Sequence, residues 1–198
     1  AVREGTNRWM PVFGFPPGEL FAKHFFNTPE AMHNFLMGMH GFGQLSSPAV
    51  VAAFDLSRFR RIVDLGGGTG HLALAAIERY PGMTAALFDL PSAIEFARSL
   101  TGGRIDLIAG DFFKDPLPPA DLYALGRILH DWTEDKIHRL LTRVYEALPP
   151  NGALVIAEAL LGDDKRGPVE AHMQSLNMLI CTEGRERTLA EYRALLGA

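Results

Sequence analysis

The sequence predicts an α/β protein with a Rossmann-like, doubly wound and mainly parallel sheet, helices on both faces, and a short helical segment in front. Three observations predict this. From Arg61 onward, short apolar runs alternate with amphipathic helical stretches. Regular β–α alternation is satisfied by a parallel sheet covered by crossover helices. The first run, Ile62-Val63-Asp64-Leu65, passes into the turn Gly66-Gly67-Gly68-Thr69-Gly70 and then an apolar helical pattern of Leu72, Leu74, Ala75 and Ile77. Glycines reach positive φ and let a ligand approach the backbone, and the helix start supplies N–H groups without intrahelical partners. Gly66, Asp89, Asp111 and His130 all fall at predicted carboxyl ends of strands, where ligands bind in such sheets.

The elements follow in order. Residues 1–17 are rich in Gly and Pro and show no periodicity; a short helix fits 19–26. Thr28 is a helix cap, with Pro29 in the first helical position and Glu30 behind it. Met32, Phe35, Leu36 and Met39 give that helix an apolar face. A third helical segment, 47–54, leads into the first strand. Strands are predicted over 61–65, 85–88, 105–108, 122–125 and 153–157, and helices over 70–79, 91–100, 134–148 and 168–181. A last helix starts at Thr188, which forms a capping box with Glu191. The sequence shows no repeat, and both ends read as incomplete.

Composition narrows the function classes. The chain has 198 residues, 47% hydrophobic content and a net charge of −4, enough for one domain with a substantial core. Mild acidity gives no reason to expect nucleic acid or an anionic membrane as partner. The single cysteine, Cys181, excludes an intrachain disulfide and a cysteine-rich zinc site; its apolar neighbours suggest a structural thiol. No run resembles a spanning helix or a signal peptide, so a cytoplasmic protein is expected. His33 and His40 lie two turns apart with no third ligand at helical spacing, so no metal site is expected. His24, His138 and His172 sit in helical patterns as surface or packing residues.

Four features define a cofactor site. As a dinucleotide fingerprint the glycine turn gives Gly66-x-Gly68-x-x-His71, with the third small residue missing. Asp64 inside the motif suits an ammonium or sulfonium better than a pyrophosphate. Asp89, about 20 residues past the glycines, can bind a ribose diol. In Gly110-Asp111-Phe112, the aspartate can accept from an adenine amino group while the aromatic packs on the ring. Arg127 can reach a ligand carboxylate or a backbone carbonyl. Together they fit adenosine joined to an amino acid, which is S-adenosylmethionine (SAM, leaving S-adenosylhomocysteine after transfer), rather than NAD.

A second constellation suggests a base. His130 follows the fourth strand and Glu158 ends the fifth, and adjacent parallel strands bring them together. A carboxylate on one imidazole nitrogen fixes the tautomer and raises the basicity of the other. Glu186, within Glu183-Gly184-Arg185-Glu186-Arg187, is a second orienting carboxylate or part of a solvated charge run.

These stretches, with Ala53-Phe54-Asp55-Leu56-Ser57, Phe88-Asp89-Leu90-Pro91, Leu129-His130-Asp131-Trp132, Ser175-Leu176-Asn177-Met178-Leu179 and Thr182-Glu183-Gly184, make the chain resemble the metal-independent, class I SAM-dependent O-methyltransferases of the caffeate and hydroxyindole type. The resemblance covers nearly the whole chain. It implies that Asp89 binds ribose, that Gly110, Asp111 and Phe112 surround adenine, that Arg127 lies at the cofactor, and that His130 is the base flanked by Glu158 and Glu186. Phe26 falls where the family carries a cofactor-touching aromatic, often Tyr. It also implies a small aromatic acceptor with a hydroxyl group and a homodimer built by an N-terminal domain. Residues 1–58 then read as a helical lead-in behind that domain, and 59–198 as the methyltransferase domain without its terminal β-hairpin. The alternative is a SAM-binding module of the same fold without O-methyl transfer or with an unrelated acceptor.

Overall fold

The computed structural model describes residues 3, 4, 8–16, 19 and 21–197, apart from the side chains of Ala22 and His24. Leu20, inside the helix expected over 19–26, lies outside them; Phe21–Phe25 form one π-helical turn. The chain runs α1 (Trp9–Phe13), that turn, α2 (Pro29–Ala52), β1 (Arg61–Leu65), α3 (His71–Arg79), β2 (Thr84–Asp89), α4 (Pro91–Thr101) and β3 (Asp106–Ala109). It continues through β4 (Leu122–Gly126), a 3₁₀ turn (Leu129–Asp131), α5 (Glu134–Ala147), β5 (Ala153–Ala157), β6 (Leu160–Leu161), α6 (Val169–Cys181), β7 (Arg187–Thr188) and α7 (Leu189–Gly197). Two units emerge: Thr28–Gly126 with Thr142–Ala157, and Ala1–Asn27 with Arg127–Leu141 and Glu158–Ala198.

The first of these units holds the sheet. Five strands pair in parallel in the order β3-β2-β1-β4-β5. The chain moves one way from β1 to β3 and the other way through β4 to β5, and right-handed crossovers then place helices on both faces. A strand covered on both faces reads as an apolar run rather than an alternation. Accordingly Ile62, Val63, Asp64 and Leu65 are each at most 1% exposed. Ile62, Leu72, Leu87, Leu122 and Ala124 form the centre of the core. β1 lies between β2 and β4, so the turn after it sits where the winding direction reverses, the switch point at which such sheets bind ligands.

The helix α2 departs from the expected pair of segments, because it runs unbroken through Pro48. Its start is as predicted, with the Thr28 hydroxyl accepting from the Ala31 N–H at 3.1 Å. Proline in a helix interior removes one hydrogen bond and costs about 3 kcal/mol. Here Leu36, Gly43, Ser47 and Val51 form one buried face on either side of the proline, and packing on α3 sustains the helix across it. A Cβ at Gly43 would overlap the His71 ring, whose Nδ1 lies 2.8 Å from the Ser47 hydroxyl.

The second unit carries the short parallel pair β6–β7, with Leu160 opposite Arg187 and Leu161 opposite Thr188. The capping box forms as expected: the Thr188 N–H donates to Glu191 Oε2 at 2.7 Å, and the Glu191 N–H donates to the Thr188 hydroxyl at 3.1 Å. Trp9, in α1, is buried and donates its indole N–H to the Ile180 carbonyl. Among the described residues no helix is long and apolar enough to cross a membrane.

Candidate active site

The glycine turn behaves as its composition requires. Gly66, Gly68 and Gly70 all have positive φ, 72°, 60° and 75°. A Cβ on Gly67 would overlap the Asp64 carboxylate beneath it. Asp64 is 1% exposed, and neither carboxylate oxygen has a hydrogen-bond partner of ordinary geometry. Burial, with repulsion from Asp89 added and the Ala73 N–H opposing, lifts its pKa to about 7. An acid so placed is stabilised by a ligand carrying positive charge, whereas a pyrophosphate would add a third anionic group beside Asp64 and Asp89.

Asp89 anchors the same turn. Its Oδ2 accepts the Gly68 N–H at 2.8 Å and its Oδ1 accepts the Leu90 N–H at 2.6 Å. Each carboxylate oxygen keeps a further lone pair that a diol could use. Burial raises the pKa of Asp89 to about 6 against these two hydrogen bonds. The Asp111 carboxylate closes its own loop, taking the Phe113 N–H at 2.8 Å and pairing with Lys114 at 2.8 Å. The Phe112 ring meets Phe113 edge-on at 4.8 Å, and its carbonyl accepts from Arg143 at 2.9 Å. Gly110 leaves room for the Phe88 ring, which a Cβ would overlap. Arg127 and Phe26 belong to the other unit. Arg127 holds a left-handed backbone, φ 57°, a strained choice for a non-glycine residue. The Phe26 ring packs against Phe21 at 6.0 Å.

That second unit contains the histidine cluster. Gly126 pairs with Ala157 at the end of the β4–β5 ladder, so the segments that follow both strands run together. The Glu158 Oε1 accepts the N–H groups of Ile128 and Leu129 at 2.9 and 2.7 Å, fixing the turn that carries His130. Pairing of β7 with β6 brings in Glu186. His130 is 4% exposed and Glu186 fully buried. The His130 Nδ1 lies 2.7 Å from Glu186 Oε1 and 3.3 Å from Glu158 Oε2, and Nε2 lies 3.7 Å from Asp131 Oδ1. The direct imidazole hydrogen bond therefore goes to Glu186, while Glu158 divides its oxygens between the turn and the ring. Ligand atoms of His130, Glu158 and Glu186 lie within 4.8 Å of one another, but the shortest spacing is a hydrogen bond.

Charge decides the chemistry of this cluster. Burial alone would lower the pKa of His130. The Glu186 hydrogen bond and the charges of Glu158 and Asp131 outweigh it and bring the group to about 9. Burial lifts Asp131 to about 7, opposed by His130 and reinforced by Glu158, Glu186 and Glu183. Glu158 is raised for the same reason, burial first, with Glu186 adding to it. When Nδ1–H donates to a carboxylate, the neutral ring presents its lone pair at Nε2. The arrangement can accept a proton there and stabilise the resulting imidazolium.

Three residues beyond the expected site set contribute to it. Asp131 follows His130 directly, within the Leu129-His130-Asp131-Trp132 stretch that carries part of the resemblance. Gly67 is the turn residue that touches Asp64. Gly184 lies so close to the His130 turn that a Cβ would overlap the His130 carbonyl and the Trp132 N–H. Those are backbone atoms and cannot swing aside. Gly184→Ala is expected to destabilise the protein by about 1–3 kcal/mol, read from a denaturant melt. Cys181 is half-buried rather than buried, with its sulfur 3.4 Å from the Asn177 side-chain oxygen. Burial, with Asp131 nearby, pushes its thiol pKa up.

The chain is similar to known proteins over its whole length. The sequence profile of the O-methyltransferase domain matches residues 1–198. Over 201 aligned residues the chain is 49% identical to acetylserotonin O-methyltransferase of Bos taurus, covering 100% of this chain and 58% of that protein. It is 46% identical to a probable bifunctional dTTP/UTP pyrophosphatase/methyltransferase protein of Homo sapiens, over 99% of this chain but 32% of that one. The solved structure of human N-acetylserotonin methyltransferase in complex with SAM aligns with a TM-score of 0.92 at 42% identity, over 99% of this chain and 57% of that chain. The chain belongs to the O-methyltransferase domain family.

Proposed function

We propose that the protein is a SAM-dependent O-methyltransferase whose acceptor is the hydroxyl group of a small aromatic molecule, a hydroxyindole or phenol. The observation that carries this reading is the buried His130 whose Nδ1 is held by Glu186, leaving Nε2 to act as a base. Bound SAM supplies an electrophilic methyl group on a sulfonium, so the protein need provide only alignment and a proton acceptor. Asp64 offers a buried negative charge to the cationic end of the cofactor. Asp89 offers lone pairs to the ribose hydroxyls, and Gly110, Asp111 and Phe112 border the adenine. His130 Nε2 receives the acceptor's proton, and Glu158 and Glu186 stabilise the imidazolium that forms.

The cluster improves the match between base and acceptor. A free imidazole near 6.5 lies far below a phenol near 10. At about 9, His130 takes a phenolic proton with about 1–2 kcal/mol against it, so proton loss can accompany methyl transfer. The family resemblance also supports a homodimer working in the cytoplasm.

Calorimetric titration of the protein with SAM and with NAD tests the cofactor reading without knowledge of the acceptor. Saturable SAM binding that Asp89→Ala abolishes, with no heat from NAD, is expected. Binding of NAD without SAM would overturn it.

A further inference from the structure

We propose that Arg187 is the positioning residue for His130: it holds the main chain of the histidine turn while its neighbour Glu186 holds the ring. The inference rests on the reading of His130 as the base. Arg187 is 2% exposed. Its Nη1 donates to the carbonyls of Leu129 and Arg185 at 3.3 and 3.1 Å, and its Nη2 donates to the Trp132 carbonyl at 3.4 Å. Leu129 and Trp132 flank His130 and Asp131. One guanidinium thus bridges both ends of the 3₁₀ turn, from the residue that directly follows Glu186. Burying a cation among carbonyls is unfavourable compared with an apolar side chain, so packing alone does not account for it. The planar fork does, because it spans acceptors that a single ammonium cannot reach together.

Access makes the inference testable. A cavity of about 670 Å³ opens onto Arg187, with Thr182, Gly184, His172 and Ser175 also in its wall. Free guanidinium can enter where the side chain has been removed.

The experiment uses Arg187→Ala and Arg187→Lys, each with and without millimolar guanidinium chloride. Two readouts are followed: the downfield proton resonance of the His130 Nδ1–H, and kcat and KM for a hydroxyindole acceptor. Arg187→Ala is expected to lose the resonance and to lower kcat by about 10²-fold, the penalty of a misplaced catalytic group, with KM little changed. Guanidinium should restore both, and Arg187→Lys should not. Retention of resonance and kcat in Arg187→Ala would overturn the proposal, as would loss of both without guanidinium rescue. If Arg187→Ala does not fold, Arg187→Lys decides: a wild-type resonance and kcat would overturn the proposal, and their loss in a folded protein supports it. The resonance needs no turnover. A wild-type protein that shows it but transfers no methyl group refutes the activity reading and leaves Arg187 to be judged on the resonance.

Discussion

His130→Ala is expected to lower methyl transfer by about 10²- to 10⁴-fold, the usual worth of a general base, with SAM affinity left nearly unchanged. Asp89 and Asp111, proposed to hold the ribose and adenine, make their hydrogen bonds to their own loops and none to His130. The pH dependence carries a second signature. With its pKa at about 9, His130 is an imidazolium in the free enzyme at neutral pH. The competent neutral form gains population as pH rises, so kcat/KM should climb up to about pH 9 and then level. Glu186→Gln keeps an acceptor oxygen but removes the negative charge that helps raise the group, and should move that limb to lower pH. For stability the sign is opposite. The folded pKa lies above the ordinary 6.5, so the stabilisation is complete below pH 6.5 and fades as pH passes through 9. Unchanged turnover in His130→Ala would remove the base from the mechanism.

Asp64→Asn is expected to stabilise the ligand-free protein near pH 7 and to weaken SAM binding by about ten- to a hundredfold. Asp64 rises from 3.8 to about 7 on folding. Between those values the folded state holds a proton that the unfolded state has lost, so stability falls as pH climbs from 4 to 7 and is flat above. A rise of that size corresponds to about 4 kcal/mol, an upper bound that asparagine removes. The lost affinity is that of a charge-assisted contact, about 1.5–3 kcal/mol. Thermal melts across pH and calorimetry with SAM read the two halves separately. Wild-type SAM affinity in Asp64→Asn would make this acid a structural group of the turn and no more.

How much of this was legible in the sequence depended on the range of the interaction. The bounds of β1 and β5 match their apolar runs at both ends, and the two caps at Thr28 and Thr188 follow from local chemistry within three residues. The two segments expected before β1 are one helix, because the α2–α3 packing that joins them has no local signal in the sequence. Glu158 could be paired with His130 from strand adjacency. The closer partner, Glu186, is 56 residues from His130, in a charged segment that a solvated surface run explains equally well. What distinguishes it is burial, created by the β6–β7 pairing of two-residue strands too short to show periodicity. Arg187 was hidden in the same way. Gly110 stands at a strand end, and its lack of a side chain also leaves room for the Phe88 ring, a contact between distant segments that no local pattern shows.

The central claim is transfer of a methyl group from SAM to oxygen, and product analysis with a panel of hydroxyindoles and phenols tests it most directly. The protein is incubated with methyl-labelled SAM and each acceptor, and products are identified by mass spectrometry. The account predicts O-methylated product and S-adenosylhomocysteine in equal amounts for at least one acceptor, lost in His130→Ala. Tight SAM binding with no labelled product from any acceptor would contradict it and leave a cofactor-binding module in place of an enzyme.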